Sequence, residues 1–147
     1  MKIAIGSDES NNLTSFVVNA VRNKGLEVEL IGPLRGDTGE WVDVAEEVAK
    51  LLSNGAVDQG LLFCWTGTGV CLVANKLPGV RAALCGDGET ARGARAWNGA
   101  NLLCISLRNT SEAIADEIIE SWFSTDCDPA EEYNIQKMKE LDKKYRS

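Results

Sequence analysis

Apolar residues along this chain fall into short runs and helical stripes that alternate. Met1–Gly6 is a short apolar run, ended by Gly6-Ser7-Asp8-Glu9-Ser10-Asn11-Asn12, a cluster of turn formers and helix caps. Leu13, Phe16, Val17, Ala20 and Val21 then recur at helical spacing until Asn23-Lys24-Gly25 stops them. Leu26–Ile31 alternates as a second strand, and Val42, Ala45, Val48, Ala49 and Leu52 form a second helical stripe closed by Asn54-Gly55. Between them, Leu34–Glu40 has no apolar period and reads as a loop of the size found over ligand sites. Val57–Phe63 predicts a buried strand, Thr68–Lys76 the start of a helix, Val80–Cys85 a short strand, Thr90–Trp97 a helix, Asn101–Leu107 a fifth strand and Ser111–Phe123 a striped helix. Asp126–Pro129 breaks that helix, and Ile135, Met138, Leu141 and Tyr145 then predict a C-terminal helix over about 130–145. Its single narrow stripe must dock on its own body or on another subunit. Strand-helix repeated five times predicts an α/β fold over one domain, 1–147, with a parallel sheet and helices on both faces.

Composition narrows the function. A net charge of −7, from 15 basic and 22 acidic residues, argues against a nucleic-acid partner, whose footprint is basic. A small anion remains compatible, because a few amides and one or two arginines hold phosphate on an acidic protein. No apolar run reaches membrane-spanning length, and the first residues read as a strand rather than a signal peptide. Five scattered cysteines, without a CxxC pair, read as reduced thiols of a cytoplasmic protein. With no histidine in the chain, neither a zinc site nor a Cys-His or Ser-His-Asp arrangement is expected, and no cofactor or metal is expected.

The chemistry concentrates at Gly60-Leu-Leu-Phe-Cys-Trp-Thr-Gly-Thr-Gly-Val-Cys-Leu-Val-Ala-Asn-Lys76, where an apolar strand meets a glycine-rich turn and a helix. Ligands of open parallel sheets bind at such junctions. Gly67 and Gly69 match neither a dinucleotide fingerprint nor a P-loop, since Leu72 stands where a third glycine is needed and no Gly-Lys-Ser/Thr occurs. They do allow several amides to converge near a helix start. Cys64 reads either as a small buried hydrophobe or, because the amides and dipole at a helix start favour a thiolate, as a proton carrier. Asp8 ends the first strand on the same rim; Ser7, Asp8 and Ser10 are equally readable as caps, though two successive carboxylates, Asp8-Glu9, are unusual for one. Arg81 is an odd charge inside a short strand unless an anion pairs with it, and Trp97-Asn98 and Asn101 flank the turn into the fifth strand.

Asp8 after Ile-Ala-Ile-Gly, Cys64-x-Thr66-Gly67-x-Gly69, Ala74-Asn75-Lys76-x-Pro78-Gly79-x-Arg81-Ala82-Ala83 and Asn98-x-Ala100-Asn101 together resemble the ribose-5-phosphate isomerase B and galactose-6-phosphate isomerase family, over about residues 1–123. The resemblance implies a Rossmann-like three-layer fold with a five-stranded parallel sheet, in a homodimer or tetramer with active sites between subunits and the C-terminal helix docked on the partner. It implies metal-independent aldose-ketose isomerisation of a small sugar phosphate, a pentose or tetrose phosphate, through an enediolate. By the family's pattern Cys64 moves the proton, Thr66 and Asn98 assist at the carbonyl oxygen, and Asp8, Glu9, Gly67, Gly69, Arg81 and Trp97 surround substrate.

The sequence also departs from that pattern. Glu9 and Trp97 stand where the family carries histidines, the second being its ring-opening group; Trp41 replaces a tyrosine, Trp65 a glycine, and the basic segment that binds phosphate near the C-terminus is missing. The tail Tyr133–Tyr145 is similar to a branch associated with four-carbon sugar phosphates. A tetrose 4-phosphate cannot close a furanose, so loss of a ring-opening histidine costs it nothing. The alternative is a non-catalytic sugar-phosphate-binding or structural subunit of a heteromeric isomerase, with Trp65 and Trp97 filling the pocket. Arg35, Arg81, Arg108 and Lys137 are all candidates for phosphate, and the sequence does not rank them.

Overall fold

The computed structural model describes residues 1–146. Its strands are β1 (Lys2–Ser7), β2 (Glu27–Ile31), β3 (Gln59–Cys64), β4 (Ala82–Leu84) and β5 (Leu102–Ser106), and its helices are α1 (Asn12–Asn23), α2 (Trp41–Ser53), α3 (Thr68–Ala74), α4 (Gly88–Asn98), α5 (Glu112–Phe123) and α6 (Glu132–Lys144). All strand pairs are parallel, in the order β2-β1-β3-β5-β4. The chain leaves β1 toward β2 and returns to the other side of β1 for β3, so the two central strands flank a crevice at their C-terminal ends.

Period-two alternation explains the layers. Ile3, Ile5, Leu61, Phe63, Leu103 and Ile105 face one apolar cluster with residues of α1, α4 and α5. Ala4, Leu62, Cys64, Leu102 and Cys104 face the other, beneath α2 and α3. At the foot of the first cluster, Trp122 is 1% exposed and its indole Nε1 donates to Gln59 Oε1 at 2.8 Å, which satisfies two buried polar groups at once.

Local chemistry shifts several boundaries. Asn11, rather than Ser7, Asp8 or Ser10, caps α1: its side chain accepts from the Thr14 amide at 3.0 Å, and Thr14 Oγ1 accepts from the Asn11 amide at 3.0 Å. Val57 and Asp58 precede β3 because the Val57 amide still donates to Leu51 at the end of α2. The fourth strand shrinks to three residues because side-chain amides replace the ladder before it: Arg81's amide donates to Asn101 Oδ1 at 2.7 Å. A 3-10 turn over Gly32–Arg35 runs into the start of the loop 34–40. α6 touches its own chain lightly. Ile135 is buried against Gly99, while Tyr133 and Tyr145 are 76% and 75% exposed and Leu141 is 41% exposed.

Replacing Trp122 with Ala removes the largest fully buried side chain and strands Gln59. The expected loss is about 3–5 kcal/mol of stability, read as a lower urea midpoint with an unchanged slope.

Candidate active site

Cys64 is the last residue of β3, opposite Ser106 of β5, and is buried. The chain beyond it remains tied to the end of β5. The Leu107 amide donates to the Cys64 carbonyl at 3.0 Å, the Arg108 amide donates to the Trp65 carbonyl at 3.0 Å, and Ser106 Oγ donates to the same Trp65 carbonyl at 3.1 Å. This fixes where the turn leaves the sheet. Trp65 itself is 61% exposed. Thr66 is exposed, with its Oγ1 2.7 Å from Thr68 Oγ1.

Gly67 makes the handover to α3 possible. Its φ is +77°, and a Cβ there would stand 2.5 Å from Leu84 Cδ1 and 3.1 Å from the Ile105 carbonyl carbon. It is the N-cap and brings no side-chain hydrogen bond, so the first amides of α3 have no cap from it. Gly69 sits under the Trp41 ring, whose nearest atom would lie 2.9 Å from a Cβ. Trp41, at the start of α2, therefore roofs the glycine turn.

Asp8 follows β1 on the same rim. Burial raises its carboxyl above the usual aspartate value of 3.8; its own backbone hydrogen bond opposes this, and the neighbouring Glu9 and Glu40 charges add to it. Since Asn11 caps α1, Asp8 is not consumed as a cap. Glu9 is exposed and its Oε1 accepts from Asn11 Nδ2 at 3.1 Å, so it is engaged with the helix cap.

The remaining candidates lie elsewhere. Asn98 ends α4, and Asn101 precedes β5; the Gly60 amide donates to Asn101's carbonyl, which puts this turn at the N-terminal ends of the strands. From Gly60 to Cys64 is four strand steps, about 13 Å. One chain thus brings Cys64, Thr66, Gly67, Gly69 and Asp8 together and leaves Trp97, Asn98 and Arg81 on the opposite rim. Trp97 lies folded back over Gly93, where a Cβ would meet its ring at 2.6 Å, with the Arg92 guanidinium 5.1 Å from the ring centroid. Arg81 precedes β4 rather than lying in it, and backbone carbonyls answer its charge. Nε donates to Gly99 at 2.8 Å and Nη1 to Gly79 at 3.2 Å. Asn75 has a comparable part: its Oδ1 accepts from the Ala82 amide at 2.8 Å and its Nδ2 donates to the Ala82 carbonyl at 3.0 Å. The second motif block is therefore largely a clamp around the start of β4.

Of the cations left unranked by sequence, Arg35 is paired with Asp37 at 2.7 Å and Glu47 at 3.4 Å. Arg108 alone of the four follows β5 directly beside Cys64, through its amide bond to Trp65. A groove of about 1060 Å³ separates α6 from the segment Pro78–Ala83 and includes Asn98 in its wall. Asp142 anchors one end by accepting from the Gly79 amide at 2.8 Å, which lowers its pKa. Among the described residues no group of three His, Cys, Asp or Glu side chains is placed to hold a metal, and no helix is long and apolar enough to cross a membrane. Glu40 and Ser106 carry no motif signal; the signals for this region are Trp41, which stands where the resembled family has a tyrosine, and the unpatterned loop before it.

A protein-family model described as Ribose/Galactose Isomerase matches residues 3–141. Ribose-5-P isomerase B of Listeria innocua is 30% identical over 99% of this chain and 100% of its own. D-erythrulose-4-phosphate isomerase of Pectobacterium atrosepticum is 34% identical over 86% of this chain and 84% of its own. Among solved structures, ribose-5-phosphate isomerase B of Clostridium thermocellum superposes with a TM-score of 0.90 at 32% identity, covering 99% of this chain and 100% of that one. Ribose-5-phosphate isomerase B of Mycoplasma genitalium with bound ribulose-5-phosphate superposes with a TM-score of 0.88 at 30% identity, covering 97% and 96%.

Gly67→Ala forces a left-handed Cβ against Leu84 and the β5 backbone. It is expected to cost roughly 1–3 kcal/mol, measured by thermal melting, whereas Gly69→Ala is expected to shift Trp41 and change its fluorescence at smaller cost.

Proposed function

We infer the chemistry of this chain from its kinship: it belongs to the ribose/galactose isomerase family, and it is an aldose-ketose isomerase of small sugar phosphates. The observation that carries the residue assignment is Cys64, a buried thiol at the crevice between the central strands, beside an uncapped glycine turn.

In this reading Cys64 as thiolate takes the proton from the carbon next to the substrate carbonyl. The electron pair left behind forms the enediolate, and the same thiol returns the proton to the neighbouring carbon. Amides of the Gly67–Gly69 turn stabilise the oxygen on which negative charge develops. Thr66 Oγ1 assists at that oxygen, and Asp8 orients hydroxyls by accepting from them. Arg108 holds the phosphate.

Trp97 and Asn98 join this site from a second copy of the chain. The support is their position on the rim opposite Cys64, together with the thinly covered α6 beside them. The favoured substrate is an acyclic four-carbon sugar phosphate, because the chain has no histidine to open a furanose ring and a flat indole occupies the position. Five free thiols suit a reducing cytoplasmic setting.

Cys64→Ala is expected to lower exchange of substrate hydrogen with solvent by roughly 10²–10⁴ or more, with circular dichroism unchanged; full exchange in the variant rejects the assignment, and binding without turnover by the native chain across four-, five- and six-carbon sugar phosphates supports a non-catalytic subunit instead. Arg108→Ala is expected to raise KM for a phosphorylated substrate with little change in kcat. Mixing inactive Cys64→Ala and Asn98→Ala proteins is expected to restore turnover through hybrid dimers, whereas a site contained in one chain restores none.

A further inference from the structure

A glycine stands in the middle of α4 without a backbone reason to be there. Gly93 lacks the left-handed φ that marks Gly67 and Gly99, and a glycine inside a helix costs stability relative to alanine. What it supplies is a missing Cβ. A Cβ at Gly93 would stand 2.6, 2.7 and 3.4 Å from Cζ3, Cε3 and Cη2 of Trp97, and these are the three nearest atoms it would meet. The Trp97 indole, one turn further along, therefore lies directly on the helix backbone and covers the buried Gly93. The rest of the side chain stays open, with Trp97 46% exposed.

A second contact holds the ring. The Arg92 guanidinium carbon lies 5.1 Å from the centroid of the indole. Glu89, one turn earlier, grips that guanidinium with both carboxylate oxygens: Arg92 Nε donates to Oε2 at 3.1 Å and Nη2 donates to Oε1 at 2.6 Å. The pair is largely exposed and adds little to folding stability. Its consequence is directional, because a forked guanidinium cannot turn away from the indole without breaking two hydrogen bonds.

We propose that Gly93 is a positioning residue for substrate binding, acting through Trp97, with the Arg92–Glu89 pair as its second restraint. The proposal rests on the reading that Trp97 and Asn98 border a sugar-phosphate site. An indole N–H donates but has no acceptor, so Trp97 brings no acid-base chemistry to such a site. What it brings is a wall, useful only if its place is fixed. Flat on Gly93, the ring leaves the space beside Asn98 to the substrate. A side chain at position 93 falls short of the 3.4 Å of ordinary contact and displaces the ring away from α4, on the side where it is open. Cys64 and the Gly67–Gly69 amides belong to other elements, so the displacement weakens binding and leaves proton transfer alone.

The test is a double-mutant cycle on the full-length protein, with erythrose 4-phosphate as substrate and near-ultraviolet circular dichroism as a second readout. Gly93→Ala is expected to raise KM roughly tenfold with kcat within about a factor of two, and to change the indole band while the far-ultraviolet spectrum holds. In a Trp97→Ala background the same substitution is expected to move neither KM nor the band, and to raise the melting temperature, because alanine is the better helix former once the ring is gone. Arg92→Leu is expected to give a smaller rise in KM, again absent without Trp97, and is the second variant if Gly93→Ala does not fold. A rise in KM that is equal with and without Trp97 means that position 93 acts through the helix alone and overturns the proposal. So does a changed indole band with KM unmoved, or a fall in kcat at constant KM. If the native chain binds erythrose 4-phosphate without turning it over, the isomerase reading fails, and the cycle is read on Kd by calorimetry with the same expectations; a native chain that does not bind it overturns the proposal.

Discussion

The ladder between β3 and β5 continues past the last strand residue, and the site depends on that continuation. Three hydrogen bonds, from the Leu107 and Arg108 amides and from Ser106 Oγ, hold the carbonyls of Cys64 and Trp65 against the start of the next loop. Without them, the segment between strand and α3 would be an exposed glycine-rich loop with many conformations to lose. With them, Cys64 stays buried, Trp65 turns outward, and Gly67 is pressed against the β5 backbone where no Cβ fits. Two tiers of contact then follow: Trp41 closes over Gly69 from α2, and Asp8 arrives from β1 across the crevice.

Most of the architecture is legible in the residue pattern, because alternation along β1, β3 and β5 and the stripes of α1, α2 and α5 each encode a buried face directly. Boundaries fail where side chains imitate the backbone. Asn101 answers the Arg81 amide, so the apolar segment around 80–85 yields a shorter strand than its composition suggests. The cap of α1 was ambiguous among several polar residues in a row, and the reciprocal Asn11–Thr14 bonds decide it. At the site, Cys64 and the glycines are readable because strand, turn and helix meet there in sequence. Trp41, Glu40, Ser106 and Arg108 come from other elements, and their approach is set by tertiary contacts, for Ser106 and Arg108 by the hydrogen bonds to the Trp65 carbonyl. Trp97 and Asn98 are a further case: lying just before β5 puts them on the far rim, so neighbouring motifs in the chain are not neighbours in one subunit.

The residues that best identify the family thus divide between two tasks. Cys64, Thr66, Gly67 and Gly69 shape the crevice, whereas Asn75, Arg81 and Asn101 brace the approach to β4. Arg81 illustrates the ambiguity of a charged residue in an apolar setting. Its guanidinium is answered by the Gly79 and Gly99 carbonyls, which joins two turns that the chain separates by about twenty residues.

The same bracing bears on how the protein behaves when crowded with its own kind. β4 is an edge strand, and the peptide groups of an edge strand invite pairing with another molecule's edge. Ala82 carries its amide and carbonyl into the two ends of the Asn75 side chain, so that residue offers a neighbouring strand no free donor. Together with the three-residue length of β4, this makes a single asparagine a guard against sheet extension, and its loss would be felt first as aggregation on expression rather than as altered chemistry at the crevice.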